Sequence, residues 1–247
     1  MSKKQILILS LASAILVLVG LYFVFFKLNK KSSTENKNTE TPQTISVEDK
    51  KITDNTAPFK IDITYPEISG QDDFNILVKN AIDKQISDFK TNSLENDQAV
   101  KETDPVTYAN YPREYDLLIN YDKGQIDQNL ASVVLDIYSF TGGAHGLQSH
   151  IAFNYDFKNK KEIALTDVFS GQENYLQTIS DYCTAELAKQ ITTNAGSTEG
   201  SWIQDGAGPV AENFKIFLIN KDSITFYFEQ YQVAPYAWGN FKVVMPK

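Results

Sequence analysis

Apolar residues run almost unbroken from Ile6 to Phe26, give way to a polar tract, and then reappear in alternating and helical patterns to the end of the chain. The first run is 21 residues long, enough at about 1.5 Å per residue to cross a hydrocarbon core of roughly 30 Å. A buried core helix would keep a polar face, and only Ser10 and Ser13 interrupt this one. A cleaved signal peptide would close on small residues, whereas Leu21-Tyr22-Phe23-Val24-Phe25-Phe26 is bulky, and no adjacent cysteine follows to take a lipid. Residues 6–26 therefore read as an uncleaved transmembrane signal anchor behind a cytoplasmic tail of residues 1–5. Lysines flank both sides, so the charge rule does not orient it. The short tail and large distal part place the carboxyl side outside the cytoplasm.

Residues 27–56 are rich in Lys, Asn, Thr, Glu and Ser and hold no aromatic residue. Such a tract buries too little apolar surface to offset ordering entropy, and it reads as a flexible stalk. Beyond it, Phe59, Ile61, Ile63 and Tyr65 alternate as one face of a strand. Phe74, Leu77, Val78, Ala81, Ile82, Ile86 and Phe89 recur at helical spacing over about twenty residues. Tyr115–Tyr121 reads as a strand, Asp122-Lys123-Gly124 as a turn, and Leu130–Phe140 as a long strand. His150–Phe157 returns along it, making a hairpin around Thr141–Gly146.

Ser170 and Glu173 have capping-box spacing before a helix whose stripe is Tyr175, Leu176, Ile179, Tyr182, Cys183, Leu187 and Ile191. Ala195–Pro209 reads as a glycine-rich loop, followed by strands over Phe214–Ile219, Ile224–Tyr231 and Phe241–Met245. The class is α+β, mainly antiparallel sheet with two main helices, after one N-terminal transmembrane helix. We expect a seam just after Phe140, giving halves of residues 57–140 and 141–247.

Charge narrows the partners. The whole chain carries −8, and setting aside the five lysines that flank the anchor leaves 18 basic against 31 acidic residues. That surface disfavours nucleic acid and suits a cationic partner. Cys183 is the lone cysteine, so no internal disulfide forms, and its place in a helical stripe predicts burial.

Candidate chemistry is sparse. His145 sits in Gly142-Gly143-Ala144-His145-Gly146, where glycines bring backbone N–H groups near a ligand and an imidazole can act as acid, base or ligand. A tight turn needing positive φ, with the ring bonding its own backbone, explains the same residues. His145 and His150 could form a zinc pair with Asp136, Asp156 or Glu162, but their spacing matches neither a helix nor one strand face. A triad of Ser139 or Ser149 with His145 and Asp136 can be drawn, yet no Gly-x-Ser-x-Gly is present. Tyr227, Tyr231, Tyr236, Trp238 and a loop-borne Trp202 gather toward the carboxyl end as interface anchors or sugar platforms. No catalytic residue, metal or cofactor is assigned. Gly142, Gly143, His145, Trp202, Tyr231 and Tyr236 are the candidate binding residues.

Tyr138-Ser-Phe-Thr-Gly-Gly-Ala-His-Gly146, Phe153-Asn-Tyr-Asp-Phe157, Leu165-Thr-Asp-Val-Phe169 and the ending Phe226 to Gly239 resemble the bacterial domain of unknown function 3298. Pro58 to Phe140 is similar to its usual companion, the 4163-type or PdaC-like domain. The pair forms the outer domain of a lysozyme-binding anti-sigma factor and the accessory domain of peptidoglycan deacetylases. A five-residue tail is too short to hold a sigma factor, and no deacetylase domain or its metal-binding histidines follow. The resemblance thus implies a non-catalytic, membrane-anchored extracytoplasmic module that binds lysozyme or peptidoglycan. The rival expectation is a cell-wall hydrolase or deacetylase-related enzyme using His145 with a nearby carboxylate.

Overall fold

A computed structural model describes residues 45–110, 113–195 and 200–247. The expected anchor, residues 6–26, and most of the expected stalk lie outside them. Among the described residues no helix is long and apolar enough to cross a membrane. They form an α+β fold with five helices and mostly antiparallel sheet.

Six strands make the larger sheet in sequential order: β1 (Val47–Asp54), β2 (Phe59–Ile68), β3 (Tyr115–Ile126), β4 (Leu130–Phe140), β5 (Leu147–Asp156) and β6 (Lys161–Glu162). Only the β2–β3 pair is parallel, and its crossover is α1 (Asp72–Thr103) followed by α2 (Pro105–Asn110). Helix α1 buries Phe74, Val78, Ile82 and Phe89 against Ile61, Ile63, Leu117, Ile119, Leu135 and Ile137 of one sheet face. Phe74 anchors this layer, with the rings of Phe153, Tyr155 and Phe157 edge-on at 6.4, 6.0 and 6.1 Å.

The second layer begins after β6. Helices α3 (Leu165–Val168), α4 (Tyr175–Ala195) and α5 (Gly200–Ala207) precede a small sheet of β7 (Phe217–Ile219), β8 (Ser223–Phe228) and β9 (Phe241–Pro246). Alternation on β8 divides its side chains: Ile224, Phe226 and Phe228 join the core with α4 and α5, while Tyr227 joins Val134, Ala152, Ile216 and Leu218 beside the larger sheet. Cys183 is fully buried in the former core, as its stripe implies, and burial pushes its thiol up to about 12.

Buried polar groups join the two sheets. Strand β7 is an edge strand, and its outward backbone meets side chains of β4 and β5. The Ile219 N–H donates to Ser132 Oγ (2.7 Å), Ser132 Oγ donates to Asn154 Oδ1 (2.6 Å), and Asn154 Nδ2 donates to the Phe217 carbonyl (2.9 Å). Ser132 and Asn154 are both buried, so each bond replaces water that neither could keep.

Several expectations are corrected. The stalk does not extend to residue 56, because Val47–Asp54 pairs along β2 as an edge strand. Asp122-Lys123-Gly124 is no turn; β3 runs through it, and the chain turns at Asp127, whose Oδ1 accepts the N–H groups of Asn129 and Leu130. The seam after Phe140 would part a hairpin whose strands pair from Leu130–Asp156 to Ser139–Leu147; the change of sheet comes after Glu162. Ser170 does not open α4, which starts at Tyr175. The reciprocal bond sits at α3, where Asp167 Oδ2 accepts the Ala164 N–H at 2.9 Å. Finally, residues 200–207 of the expected loop are helix α5.

Phe74→Ala should lower stability by about 3–5 kcal/mol, the usual cost of emptying an aromatic core position. Urea midpoints at constant slope would measure it. A loss below about 1 kcal/mol would show that α1 is not the lid of this layer.

Candidate functional site

The β4–β5 turn begins where Phe140 leaves the sheet. Gly142 and Gly143 hold φ of +105° and +95°, a region that side chains avoid, so the glycines are accounted for by the turn. Gly146 is required by packing, since a Cβ there would lie 2.6 Å from the Tyr138 hydroxyl. The ring of His145 projects from this turn, with Nδ1 3.1 Å from the Gly146 carbonyl.

The β8–β9 connection supplies the facing residues. Gln232 orders it: its side-chain oxygen accepts the Glu229 N–H, and its amide donates to the carbonyls of Gly206 and Asn213 at 2.8 and 3.0 Å. Val233 and Ala234 then enter the core, fixing the short 3-10 turn at Tyr236–Trp238. Tyr236 stacks on His145, ring centroids 3.8 Å apart and 25° between planes, and its hydroxyl donates to the Gly146 carbonyl at 2.9 Å. Tyr231 lies against Tyr236 at 5.6 Å. It remains 49% exposed and has φ +67°, a strained setting for a bulky residue.

Gly142, Gly143, His145, Tyr231 and Tyr236 thus form one structure, an aromatic ledge assembled from two distant segments. Trp202 is not part of it. That residue lies on α5, and among the described residues no ring contact joins it to the ledge.

Beside the ledge lies a polar cluster on one face of the larger sheet. Asp136 and His150 are direct cross-strand partners, as are Tyr138 and Gln148, so all four share one sheet face. Gln148 Nε2 donates to Asp136 Oδ1 at 2.6 Å, and His150 Nε2 lies 3.9 Å from the same oxygen. The next residues of β8 cover the edge of β5: the Gln148 N–H donates to Gln230 Oε1 (3.0 Å) and the His150 N–H to Glu229 Oε1 (3.1 Å). Tyr227 packs on the His150 ring at 5.1 Å and donates its hydroxyl to Asp122 Oδ2 at 2.7 Å. Burial and that bond drive the Tyr227 phenol far above its ordinary value. Burial pushes His150 below its ordinary 6.5, against the pull of Asp136, Glu229 and Asp122 and with the push of Lys242.

This arrangement does not assemble the drawn active sites. His145 bonds its own turn, and Asp136 faces His150 instead. Asp156 accepts the N–H groups of Lys158 and Asn159 in its own turn, and Glu162 is exposed. Ser149 alternates to the face opposite His150. Among the described residues no three His, Cys, Asp or Glu side chains are grouped to hold a metal ion. Glu229 is the residue of this cluster that sequence reasoning missed; its place two residues before Tyr231, just after β8 and bonded to β5, is visible only once both hairpins are in register.

Residues 52–148 match the family profile described as Deacetylase PdaC, and residues 166–247 match Protein of unknown function (DUF3298). Two successive regions of the chain are thus each similar to one of these families. Over 248 residues it is 26% identical to Peptidoglycan-N-acetylmuramic acid deacetylase PdaC of Bacillus subtilis, covering 100% of this chain and 50% of that protein. An esterase of Mycobacterium tuberculosis is 29% identical over 127 residues, 51% of this chain and 53% of the esterase. The chain spans about half the length of the curated relatives it matches. Crystal structures of DUF3298 family proteins from Bacteroides fragilis and Pseudomonas aeruginosa superpose with TM-scores of 0.52 and 0.53 at 18% identity, each covering 82% of this chain and 90% of the other. They show a shared fold. The two families read from the residues are those that match, but the Tyr138–Gly146 and Phe153–Phe157 stretches read as DUF3298 lie outside its match: His145 lies within the PdaC-type match, Tyr231 and Tyr236 within the DUF3298 match.

The buried neutral His150 predicts a pH response. The unfolded chain takes up a proton on this ring near 6.5 and the folded chain resists it, so stability is fully present above about pH 6.5 and declines as pH falls below it. His150→Phe, a non-titrating ring in a site only 6% exposed, should flatten that decline in urea midpoints taken from about pH 7 to about pH 5. An unchanged slope would contradict the assignment.

Proposed function

We propose that this protein is a membrane-anchored, extracytoplasmic binding module of the bacterial cell envelope, non-catalytic, whose ligand is a cell-wall glycan of the peptidoglycan type. The aromatic ledge carries this reading. Tyr231 is held half-exposed at a strained φ of +67° and is backed by Tyr236, which in turn stacks on His145. A half-exposed tyrosine ring backed by stacked and tilted neighbours offers a flat apolar face on which a sugar ring packs. The deacetylase named among the relatives acts on peptidoglycan, which supports a cell-wall setting for the shared domains. The apolar run of residues 6–26 supports the anchor, and the excess of acidic residues supports lysozyme or another cationic envelope protein as a second reading of the ligand.

Two measurements test the proposal. In sedimentation with purified sacculi, Tyr231→Ala and Tyr236→Ala should each weaken binding about tenfold, some 1.4 kcal/mol; the exposed Tyr231→Ala should leave urea midpoints close to wild type, while Tyr236→Ala also lowers them through the lost stacking and hydrogen bond. Undiminished binding by both variants would remove the ledge from the function. On intact cells, added protease should degrade the epitope of a carboxyl-terminal tag; full protection until lysis would exclude the extracytoplasmic placement.

A further inference from the structure

We propose that the cleft between β5 and β7 is a peptide subsite: it pairs with the backbone of one extended residue of the peptidoglycan peptide and receives a side chain that ends in an ammonium. This rests on the cell-wall reading above and adds the peptide part of the polymer to it.

The cleft opens where β6 stops. That strand is two residues long, and once the Ile163 N–H has donated to the Asn154 carbonyl at 2.7 Å the chain leaves β5 to form α3. Buried Leu165 and Phe217 line the resulting cavity of about 360 Å³. Tyr175 lines it too, its ring stacked on Phe169 at 5.6 Å. Ligand pockets span roughly 300–1,000 Å³, so this one suits a short peptide better than the surface of a protein.

The edge of β5 is an independent sign, and it calls for a peptide backbone. In an antiparallel ladder alternate residues turn their N–H and carbonyl groups away from the partner strand. On β5, opposite β4, those residues are Gln148, His150, Ala152 and Asn154. The Gln148 and His150 N–H groups donate to Gln230 Oε1 and Glu229 Oε1, and the Asn154 carbonyl accepts from Ile163. Ala152 lies between these capped positions and lines the cavity, and its N–H and carbonyl have no partner among the described residues. One residue of an extended peptide supplies the matching carbonyl and N–H, which is how an open strand edge recruits a ligand.

Charge selects the side chain. Glu162, Glu212 and Lys215 line the same cavity. Lys215 is ion-paired with Glu212, and Lys161, next to Glu162 in the chain, lies 3.6 Å from Asp167. The Glu162 carboxylate has no hydrogen bond or ion pair among the described residues. One uncompensated negative charge beside buried apolar residues fits an ammonium on a methylene stem, the stem against Leu165 and Phe217 and the head at Glu162. A diamino acid within a cell-wall peptide carries that side chain.

The test follows the Ala152 amide by proton–nitrogen NMR of the full chain in detergent micelles. The probe is a tetrapeptide of L-alanine, γ-linked D-glutamate, L-lysine and D-alanine. One analogue is acetylated on the lysine side chain; another is methylated on the lysine backbone nitrogen, which removes the donor to the Ala152 carbonyl. The parent should shift the Ala152 amide and bind at least about tenfold more tightly than either analogue. Glu162→Gln, an exposed change whose folding is checked by its urea midpoint, should bring the acetylated analogue level with the parent and leave the methylated one weak. Binding that methylation does not weaken, or that leaves the Ala152 amide unmoved, overturns the inference. No binding of the tetrapeptide while sacculi still bind also overturns it and leaves the glycan reading standing, whereas failure of both removes the cell-wall reading as well. Lysozyme binding that is lost in Glu162→Gln, with no response to the tetrapeptide, overturns it too and assigns the cleft to a cationic protein.

Discussion

The bonds from Ser132 and Asn154 to the edge of β7 set everything else in place. A strand edge buried without partners would leave the Ile219 N–H and the Phe217 carbonyl unsatisfied, at a cost of about 1–3 kcal/mol each. Ser132 and Asn154, buried on neighbouring strands of the larger sheet, meet those two groups in one register. A slip of one residue along β7 would turn the outward groups away, and Leu218 would leave its place beside Val134. This polar seam specifies the docking of one sheet on the other, and the apolar contacts around it supply the area.

Everything functional follows from that docking. With β7 fixed, β8 runs out of the small sheet at a point where Glu229 and Gln230 cap the open edge of β5. The chain then turns over Gln232, and Tyr236 reaches the β4–β5 turn to stack on His145. Neither segment makes the ledge by itself. The PdaC-type and DUF3298 matches are separate regions of the chain, yet the surface that we read as ligand-binding is built from both.

Much of the architecture was legible because alternation and helical spacing are strong where one face is buried. Strand β4 was read to the residue from Leu130–Phe140, and both long helices were found from their stripes. The errors share a physical cause. Gly124 looked like a turn residue, but it is a place of close approach, where a Cβ would lie 2.4 Å from the Ile219 carbonyl. Gly206 suggested a loop for the same reason; it lets α5 pack on the Gln232 carbonyl, and a Cβ would clash with it. Strand β1 reads as stalk in the sequence because an exposed edge strand is built from charged residues such as Lys50 and Lys51, which also make solvated linkers. Of the site, the aromatic members were visible as residue types, but the partnership of His145 with Tyr236 depends on tertiary docking across some ninety residues of chain. Glu229 carried no signal of its own.

Proton NMR of the histidine rings tests the composite ledge most directly, since the chain has two histidines and substitution of either assigns both. The account predicts that the His145 Hε1 resonance lies upfield of a free imidazole, because the Tyr236 ring stacks on it. It should return to the free position in Tyr236→Ala and move when soluble peptidoglycan fragments are added. A His145 signal at the free position in the wild type, unmoved by those fragments, would contradict the account.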